Sequence, residues 1–261
     1  MKGTVYSVLL LTVAACGSTQ PPGSSARPTS IGDVSPAAHA IVDAPDRTDV
    51  DRGFDVERRP GELLDFLGIT PGMRVGELFC GAGYTAELLA RAVAPGGTLY
   101  AENPRVFLDR PENAKAWAER LARPAMKAVV RLDRELDDPF PQESRELDLV
   151  VINLVYHDTV WLGVDRDKMN RAVFAALKTG GRYAVIDHGA RPGRGLADVQ
   201  TLSRIDERSV RGEVEREGFR LSNKDSFLRN PSDTRDWNDA PVAAGERREP
   251  SDRFALMFVK P

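Results

Sequence analysis

The sequence feature that most constrains the fold is the stretch from Arg74 to Ala94, RVGELFCGAGYTAELLARAVA. An apolar run that opens at Val75 stops at a Cys-Gly-Ala-Gly turn and passes into an amphipathic pattern. This order predicts a strand, a glycine turn and a helix N-terminus, which together can cradle a nucleotide. Gly81 and Gly83 leave the backbone bare where a ligand would lie against it, and Thr85 is the expected cap of the helix.

The glycine turn by itself fits two kinds of cofactor. Its letters GAGYTA satisfy the glycine-x-glycine-x-x-Gly/Ala pattern of dinucleotide-binding folds. The same turn also suits another nucleotide whose polar groups lie against a helix N-terminus. The choice between these ligands depends on the rest of the chain.

Length and charge limit the classes of function. The chain has 261 residues, enough for one domain of about 200 residues with an appendage. Lys and Arg number 36 against 39 Asp and Glu, so the formal net charge is −3 and no nucleic-acid partner is expected. The two cysteines, Cys16 and Cys80, lie in unrelated contexts, which predicts neither a disulfide framework nor a cysteine metal site.

The N-terminal residues are typical of an export signal. Lys2 precedes an apolar run from Val5 to Ala15, which is too short to span a bilayer of about 30 Å. The run ends in VAAC, which resembles the bacterial lipobox. That resemblance implies a signal peptide of residues 1–16 whose last residue, Cys16, carries the lipid. The alternative is an ordinary cleaved signal and a soluble periplasmic protein.

The residues after the signal predict a tether and then a folded domain. Residues 17–45 are rich in Pro, Ser, Gly and Ala, which predicts a flexible segment, and residues 46–261 predict the domain. We therefore expect a lipid-anchored protein on the periplasmic face of a bacterial membrane. The sequence assigns neither the inner or outer membrane nor an oligomeric state.

Strand and helix patterns alternate through the domain. A lead-in helix ends at Gly68, five strands then alternate with helices, and two more strands form a C-terminal hairpin. Helical crossovers between strands require the first five strands to run parallel. The expected fold is α/β, a Rossmann-like three-layer sandwich with a mostly parallel seven-stranded sheet and a C-terminal antiparallel hairpin.

Acidic residues follow the second and third predicted strands. Glu102 ends the strand TLYAEN about 20 residues after Gly83, where nucleotide-binding sheets place an acid that accepts both ribose hydroxyls. Asp133 ends the next strand and is a candidate contact of the adenine amino group. The alternative for Glu102 is an exposed acid at a strand end.

A polar cluster follows the fourth strand, and a second histidine follows the fifth. The carboxyl ends of parallel strands form the ligand crevice, so chemistry is expected at Asn153, Tyr156, His157 and His188. Imidazole titrates near neutral pH, which makes both histidines candidate bases, with Tyr156 beside them and Asn153 as a cofactor contact. The alternative for each histidine is a plain hydrogen bond to a loop. In the long loop after the sixth strand, Trp237 either closes over a substrate or pins the loop.

The segments VGELFCGAGY, GTLYAEN, LKTGGRYAVID and RFALMFVKP resemble the motifs of class I S-adenosylmethionine-dependent methyltransferases. The resemblance covers about residues 46–261 and implies S-adenosylmethionine as cofactor, with Glu77 meeting its methionine amino group. A dinucleotide fold has no need of an acid four residues before its first turn glycine, nor of a C-terminal hairpin. Phe79 departs from the family pattern, in which this position usually carries glycine.

More narrowly, the segments RRPGELLDFLGITPGMRVGEL, NLVYHD and SFLRNPSD are similar to a bacterial subgroup of predicted, often exported methyltransferases. The resemblance implies transfer of the cofactor's methyl group to an unidentified, small-molecule acceptor. Residues 153–156 also echo the Asn-Pro-Pro-Tyr box of amino-group methyltransferases, but both prolines are missing, so that chemistry is not predicted.

Two other functions stay open at this point. The first is a non-catalytic binding module on the same scaffold, suggested by Phe79 and by the export signal. The second is an NAD-dependent oxidoreductase, suggested by GAGYTA alone.

Overall fold

The computed structural model describes residues 34–240 and 250–261. The predicted signal peptide, the lipidation site Cys16 and the first part of the predicted tether lie outside the described residues. No helix among the described residues is long and apolar enough to cross a membrane.

The last part of the predicted tether is structured, so the prediction of a flexible segment up to residue 45 was wrong there. Pro36–Val42 forms helix α1, whose N-terminus is capped by the side chain of Ser35. Ser35 also bonds to Asp65 through its backbone N–H and its hydroxyl, at 2.8 and 2.6 Å. Ala38 is buried beside Leu64. A cap and one small buried residue fix this short helix, and composition alone does not reveal either.

Seven strands and the helices between them make up the domain. The strands are β1 Arg74–Leu78, β2 Thr98–Asn103, β3 Val129–Asp133, β4 Leu147–Asn153, β5 Leu177–His188, β6 Arg220–Asp225 and β7 Arg253–Val259. The further helices are α2 Asp49–Arg58, α3 Pro60–Leu67, α4 Tyr84–Val93, α5 Arg105–Leu108, α6 Pro111–Leu121, α7 Asp158–Trp161, α8 Arg166–Ala176, α9 Val199–Leu202 and α10 Glu207–Arg216. Two 3-10 helices, Pro124–Ala128 and Gln142–Ser144, precede β3 and β4.

The strands form one mixed sheet in the order β3-β2-β1-β4-β5-β7-β6. Strands β1 to β5 pair in parallel, and β7 runs antiparallel to both β5 and β6. The sheet reverses its strand order between β1 and β4, so the crevice of an open α/β sheet opens at the carboxyl ends of these two strands. This arrangement confirms the predicted fold class.

Helices cover both faces of the sheet. One face packs against α3, α4 and α6, with Leu67, Leu89 and Trp117 in its core. The other face packs against α8 and α10, with Val173 and Val214 in its core. The central strand β4 is buried on both faces, which explains its nearly continuous apolar sequence.

Two predicted helices have different bounds in the structure. The lead-in helix is divided into α2 and α3 at Arg59, which has a φ of +49°, and Pro60 then opens α3. Proline has a fixed φ suited to the first helical position and disfavours a helical residue before it, so it ends one helix and begins the next. The charged segment of residues 203–217 predicts a helix from Ser203, but α10 begins at Glu207 because the Asp206 side chain accepts the Arg208 N–H and caps it.

Candidate cofactor and catalytic site

The glycine turn connects β1 to α4 through three residues with positive φ. These are Phe79 at +49°, Gly81 at +58° and Gly83 at +84°. A Cβ at Gly81 would meet no atom within 4 Å, so this part of the turn is open to a ligand, as predicted. A Cβ at Gly83 would lie 2.6 Å from the Trp117 ring. Gly83 is therefore required by packing against α6 rather than by a bare surface.

The end of β2 holds the turn in place. One carboxyl oxygen of Glu102, Oε2, accepts the Phe79 N–H at 2.9 Å. The Asn103 side chain accepts the Gly81 N–H at 2.8 Å and donates to the Gly81 carbonyl at 3.0 Å. A single amide side chain thus bonds to both backbone polar groups of Gly81. Asn103 was not among the predicted site residues.

Two buried carboxyl groups lie beside the turn, and one oxygen of each lacks a donor. Glu77 is 2% exposed and Glu102 is fully buried. Among the described residues, no group donates to Glu77 Oε2 or to Glu102 Oε1. An unsatisfied buried acceptor costs about 1 to 3 kcal/mol, which a ligand that donates hydrogen bonds here would recover.

The burial of these acids changes their protonation. Burial raises the pKa of Glu77 to about 8. Burial also raises the pKa of Glu102 well above its usual range, against the opposing effect of the Phe79 N–H. Glu77 therefore holds a proton at neutral pH in the ligand-free protein, and burial favours the neutral form of Glu102 in the same way.

Two further predicted cofactor contacts lie at the same edge of the sheet. Asn153, at the end of β4, donates to the Thr85 hydroxyl at 3.0 Å. Thr85 does not cap α4, because Gly83 is the N-cap and no side chain bonds to the first turn. Asp133 lies beside Asn103 in the sheet register, but both of its oxygens accept hydrogen bonds from Arg131, at 2.6 and 2.9 Å.

Tyr156 does not lie at the site, which corrects its prediction as a catalytic candidate. Its side chain is fully buried on the α8 and α10 face of the sheet. The hydroxyl donates to Glu213 at 2.9 Å and accepts from Asn170 at 3.0 Å. The chain turns after β4 at Leu154, which has a φ of +63°, and Tyr156 enters the core.

His157 is held as an imidazolium between two carboxylates. Its Nδ1 lies 2.8 Å from Asp187, its Nε2 lies 3.2 Å from Asp158, and its backbone N–H donates to Asp187 at 2.6 Å. Burial alone would lower the pKa of His157, but the charges of Asp187 and Asp158 raise it to about 9. Both ring nitrogens are donors in this arrangement, so His157 cannot accept a proton.

His188 has the opposite character, although its ring packs edge to face on His157 with centroids 5.5 Å apart. Its Nδ1 contacts the Asp239 carboxylate and lies 2.8 Å from the Ser251 hydroxyl. Burial lowers the pKa of His188 below its usual range. A carboxylate at Nδ1 keeps the proton on that nitrogen, so the lone pair of the neutral ring is on Nε2.

Helix α2 crosses the carboxyl edge of the sheet and connects these two groups of residues. At one end, Asp51 forms a bidentate pair with Arg120, with both distances 2.7 Å. At the other end, Glu57 pairs with Arg253, which lies 3.1 Å from the Ser251 hydroxyl. In between, Tyr84 donates its hydroxyl to Asp55 at 2.7 Å.

Solved structures of several methyltransferases share this architecture. The chain is similar to an S-adenosylmethionine-dependent methyltransferase from Aquifex aeolicus, at 18% identity over 81% of this chain and 95% of that chain, with a TM-score of 0.58. It has the class I methyltransferase fold. A methyltransferase from Mesorhizobium loti matches at 19% identity over 79% of this chain and 100% of that chain, with a TM-score of 0.54. A TehB-like methyltransferase from Corynebacterium glutamicum matches at 15% identity over 80% and 94%, with a TM-score of 0.50. No protein-family model matches the chain.

Within this class I fold, the candidate site residues lie in two groups. The first is the glycine turn with Glu77 and Glu102, and the second is the pair of histidines at the ends of β4 and β5. Sequence reasoning missed Asp239, because it reaches His188 from a loop that no local pattern connects to β5. That loop is pinned by Trp237, whose Nε1 donates to Asp233 at 2.7 Å and whose ring lies under Arg204.

Proposed function

We propose that this protein is an S-adenosylmethionine-dependent methyltransferase that acts on a small molecule. The observation that carries the proposal is the pair of buried carboxyl oxygens without donors, on Glu77 and Glu102, on either side of an open glycine position. The class I fold supports it, since this edge of the sheet is the ligand crevice.

The residues present fit the polar groups of the cofactor. Glu77 would hold the ammonium of the methionine part, and Glu102 Oε1 would accept from a ribose hydroxyl. Gly81 lets the ligand approach the backbone, and Asn153 lies at the adjoining end of β4. When bound, the cofactor supplies an activated methyl group. The acceptor atom must therefore be oriented and, where it carries a proton, deprotonated by the protein.

In this proposal His188 is the base and His157 is not. The Nε2 of His188 makes no hydrogen bond to a described residue, and the Asp239 carboxylate stabilises the imidazolium that forms when Nε2 takes a proton. His157 instead provides a fixed positive charge next to the base. A positive neighbour favours an acceptor that becomes an anion when it loses its proton.

The protonation of the two histidines can be tested with diethylpyrocarbonate, which modifies unprotonated imidazole nitrogens. At pH 7 we expect modification of His188 but not of His157, because the pKa of His157 is raised to about 9. Mass spectrometry of peptides from each position measures the two rates. The exposed His39 is an internal reference for reagent activity. Equal rates at His157 and His39 at pH 7 would contradict the assignment.

A non-catalytic module is the second candidate, and Phe79 favours it. The ring packs edge to face on Phe107 with centroids 5.8 Å apart, beside the open position Gly81. The positive φ of Phe79 costs about 1 kcal/mol in a residue with a side chain. A bulky residue kept in this conformation can narrow the crevice at the methionine end.

Isothermal titration with S-adenosylmethionine, S-adenosylhomocysteine and NAD separates these functions. We expect the two adenosyl ligands to bind the protein and the Glu77→Ala variant to lose at least tenfold in affinity, because an ammonium would lose its carboxylate partner. Binding of NAD alone would reject the methyltransferase. No binding by the wild type, with binding restored in Phe79→Gly, would support the non-catalytic module.

A further inference from the structure

Helix α2 carries a guanidinium that lacks an anionic partner. Arg58, in the last turn of α2, lies over two aromatic rings, with its Cζ 4.8 Å from the ring centroid of Phe54 and 4.7 Å from that of Tyr84. Across residues 34–240 and 250–261, no carboxylate pairs with it and no acceptor receives its N–H groups. Its five donors are therefore available to a ligand.

The acids that surround Arg58 on α2 are already paired. Asp51 pairs with Arg120, Asp55 pairs with Arg47, and Glu57 pairs with Arg253. Burial lowers the pKa of Arg58, and the nearby Tyr84 and Glu57 oppose that effect. An arginine stays charged in proteins, so this partly buried cation lacks the counter-charge that its neighbours have.

The position of Arg58 points to one end of the glycine turn. Tyr84, on which its guanidinium is stacked, is the first residue of α4. No described side chain caps α4, so the N–H groups of its first turn lack a side-chain acceptor. The N-terminus of a helix carries a partial positive charge, and the full positive charge of Arg58 lies over the ring of the first residue of this helix.

The opposite charge needed for an amino acid is provided by the same turn. Glu77 lies at the end of β1, before the turn, and its Oε2 lacks a donor. A ligand group with an ammonium and a carboxylate on one carbon would satisfy both sides. Glu77 would bind the ammonium, and Arg58 would bind the carboxylate through paired N–H donors.

We propose that Arg58, together with the N-terminus of α4, is a carboxylate-binding site that closes over the ligand at the glycine turn. The inference rests on the proposed function. Two sources share this chemistry, namely the amino-acid end of the cofactor and a carboxylate on the methyl acceptor. Because Arg58 lies on α2, binding of that carboxylate would also hold α2 over the crevice.

The first arm of the experiment compares two adenosyl ligands that differ in the amino-acid group. S-adenosylhomocysteine carries a carboxylate, and 5′-methylthioadenosine lacks it. In isothermal titration we expect Arg58→Met to weaken the binding of S-adenosylhomocysteine about 10- to 100-fold and to leave the affinity for 5′-methylthioadenosine unchanged. Arg58→Lys keeps the charge but not the paired donors, so its loss should be smaller. Arg211→Met, which removes an exposed charge from α10, is the matched control and should change neither affinity.

The second arm tests the acceptor as the source of the carboxylate. Benzoate is titrated into protein saturated with S-adenosylhomocysteine, and binding that disappears in Arg58→Met assigns the carboxylate to the acceptor. Thermal melting without ligand checks that Arg58→Met is folded, since methionine keeps an apolar stem on the two rings.

The outcomes separate the inference from the proposed function. If Arg58→Met changes neither the preference for S-adenosylhomocysteine over 5′-methylthioadenosine nor the binding of benzoate, the carboxylate site is rejected. If the wild type binds neither adenosyl ligand, the proposed cofactor is rejected, and benzoate titrated into the ligand-free wild type and Arg58→Met then decides the carboxylate site. Benzoate binding that depends on Arg58 would support the site even in that case.

Discussion

Binding of S-adenosylhomocysteine is expected to become about tenfold tighter for each pH unit between pH 6 and pH 8 and to release about one proton. The reason is Glu77, whose pKa is raised to about 8 by burial. An ammonium is bound by a carboxylate and not by a carboxylic acid, so the proton on Glu77 must leave when the ligand binds. Above pH 8 the carboxyl group is already ionised in the free protein and the dependence should level off.

Isothermal titration at several pH values, each in two buffers with different heats of ionisation, measures both the affinity and the number of protons released. In Glu77→Gln we expect weak binding that does not change with pH. This variant keeps the size of the side chain and removes its titration, so it is the matched control. A wild-type affinity that is constant from pH 6 to pH 8 would show that Glu77 does not pair with the ligand.

Without ligand, the Glu77→Gln variant is expected to be more stable at high pH, relative to the wild type, than it is at low pH. Glu77 has a pKa of about 8 when folded, compared with an ordinary value of 4.5. The folded protein therefore holds this proton more tightly than the unfolded chain does. The resulting stability is fully present below about pH 4.5 and is lost as the pH rises through 8.

Relative to Glu77→Gln, the wild type should lose about 1.4 kcal/mol of unfolding free energy for each pH unit between these two values. The total is a few kcal/mol at pH 8, which is large for a domain of ordinary stability. Urea denaturation of both proteins at pH 5, 6, 7 and 8 measures the difference. The control is Glu119, an exposed acid that pairs with Lys115. The difference in unfolding free energy between wild type and Glu119→Gln should not change in this way with pH. If the difference in unfolding free energy between wild type and Glu77→Gln stays constant with pH, the Glu77 carboxyl group does not hold a proton in the folded protein.

The sequence of strands and helices along the chain and the place of the crevice follow from local patterns that the sequence displays. Apolar runs, helical spacing and the turn at Gly81 and Gly83 predict alternating elements, and the short antiparallel β7 is visible in RFALMFVKP. Because parallel strands end at one edge, His157 and His188 were predicted near each other without knowledge of any contact, whereas Glu77 was assigned by the family resemblance. Local patterns identify the strands, the helices and the glycine turn because each of these elements depends on residues that are close together in the sequence.

The side-chain partners at the site could not be predicted in the same way. Asp239 reaches His188 across the β5 to β7 connection, and Arg58 reaches Tyr84 from a helix before β1. Such contacts depend on tertiary packing and leave no local signal. The direction of Tyr156 depends on the positive φ of Leu154, a conformation that a leucine rarely adopts. Tyr156, next to the predicted catalytic His157, was therefore assigned to the crevice, whereas it lies in the core.

The two ends of α2 differ in how firmly they are held. The Asp51 side chain is 5% exposed where it pairs with Arg120, whereas the Glu57 side chain is 48% exposed where it pairs with the buried Arg253. Dissolved salt screens an exposed charge pair far more than a buried one. Raising the salt concentration is therefore expected to weaken the Glu57 end of α2 before the Asp51 end. In the proposed methyltransferase, opening at the Glu57 end would uncover the histidines before the glycine turn, and a product beside them would then leave ahead of the nucleoside.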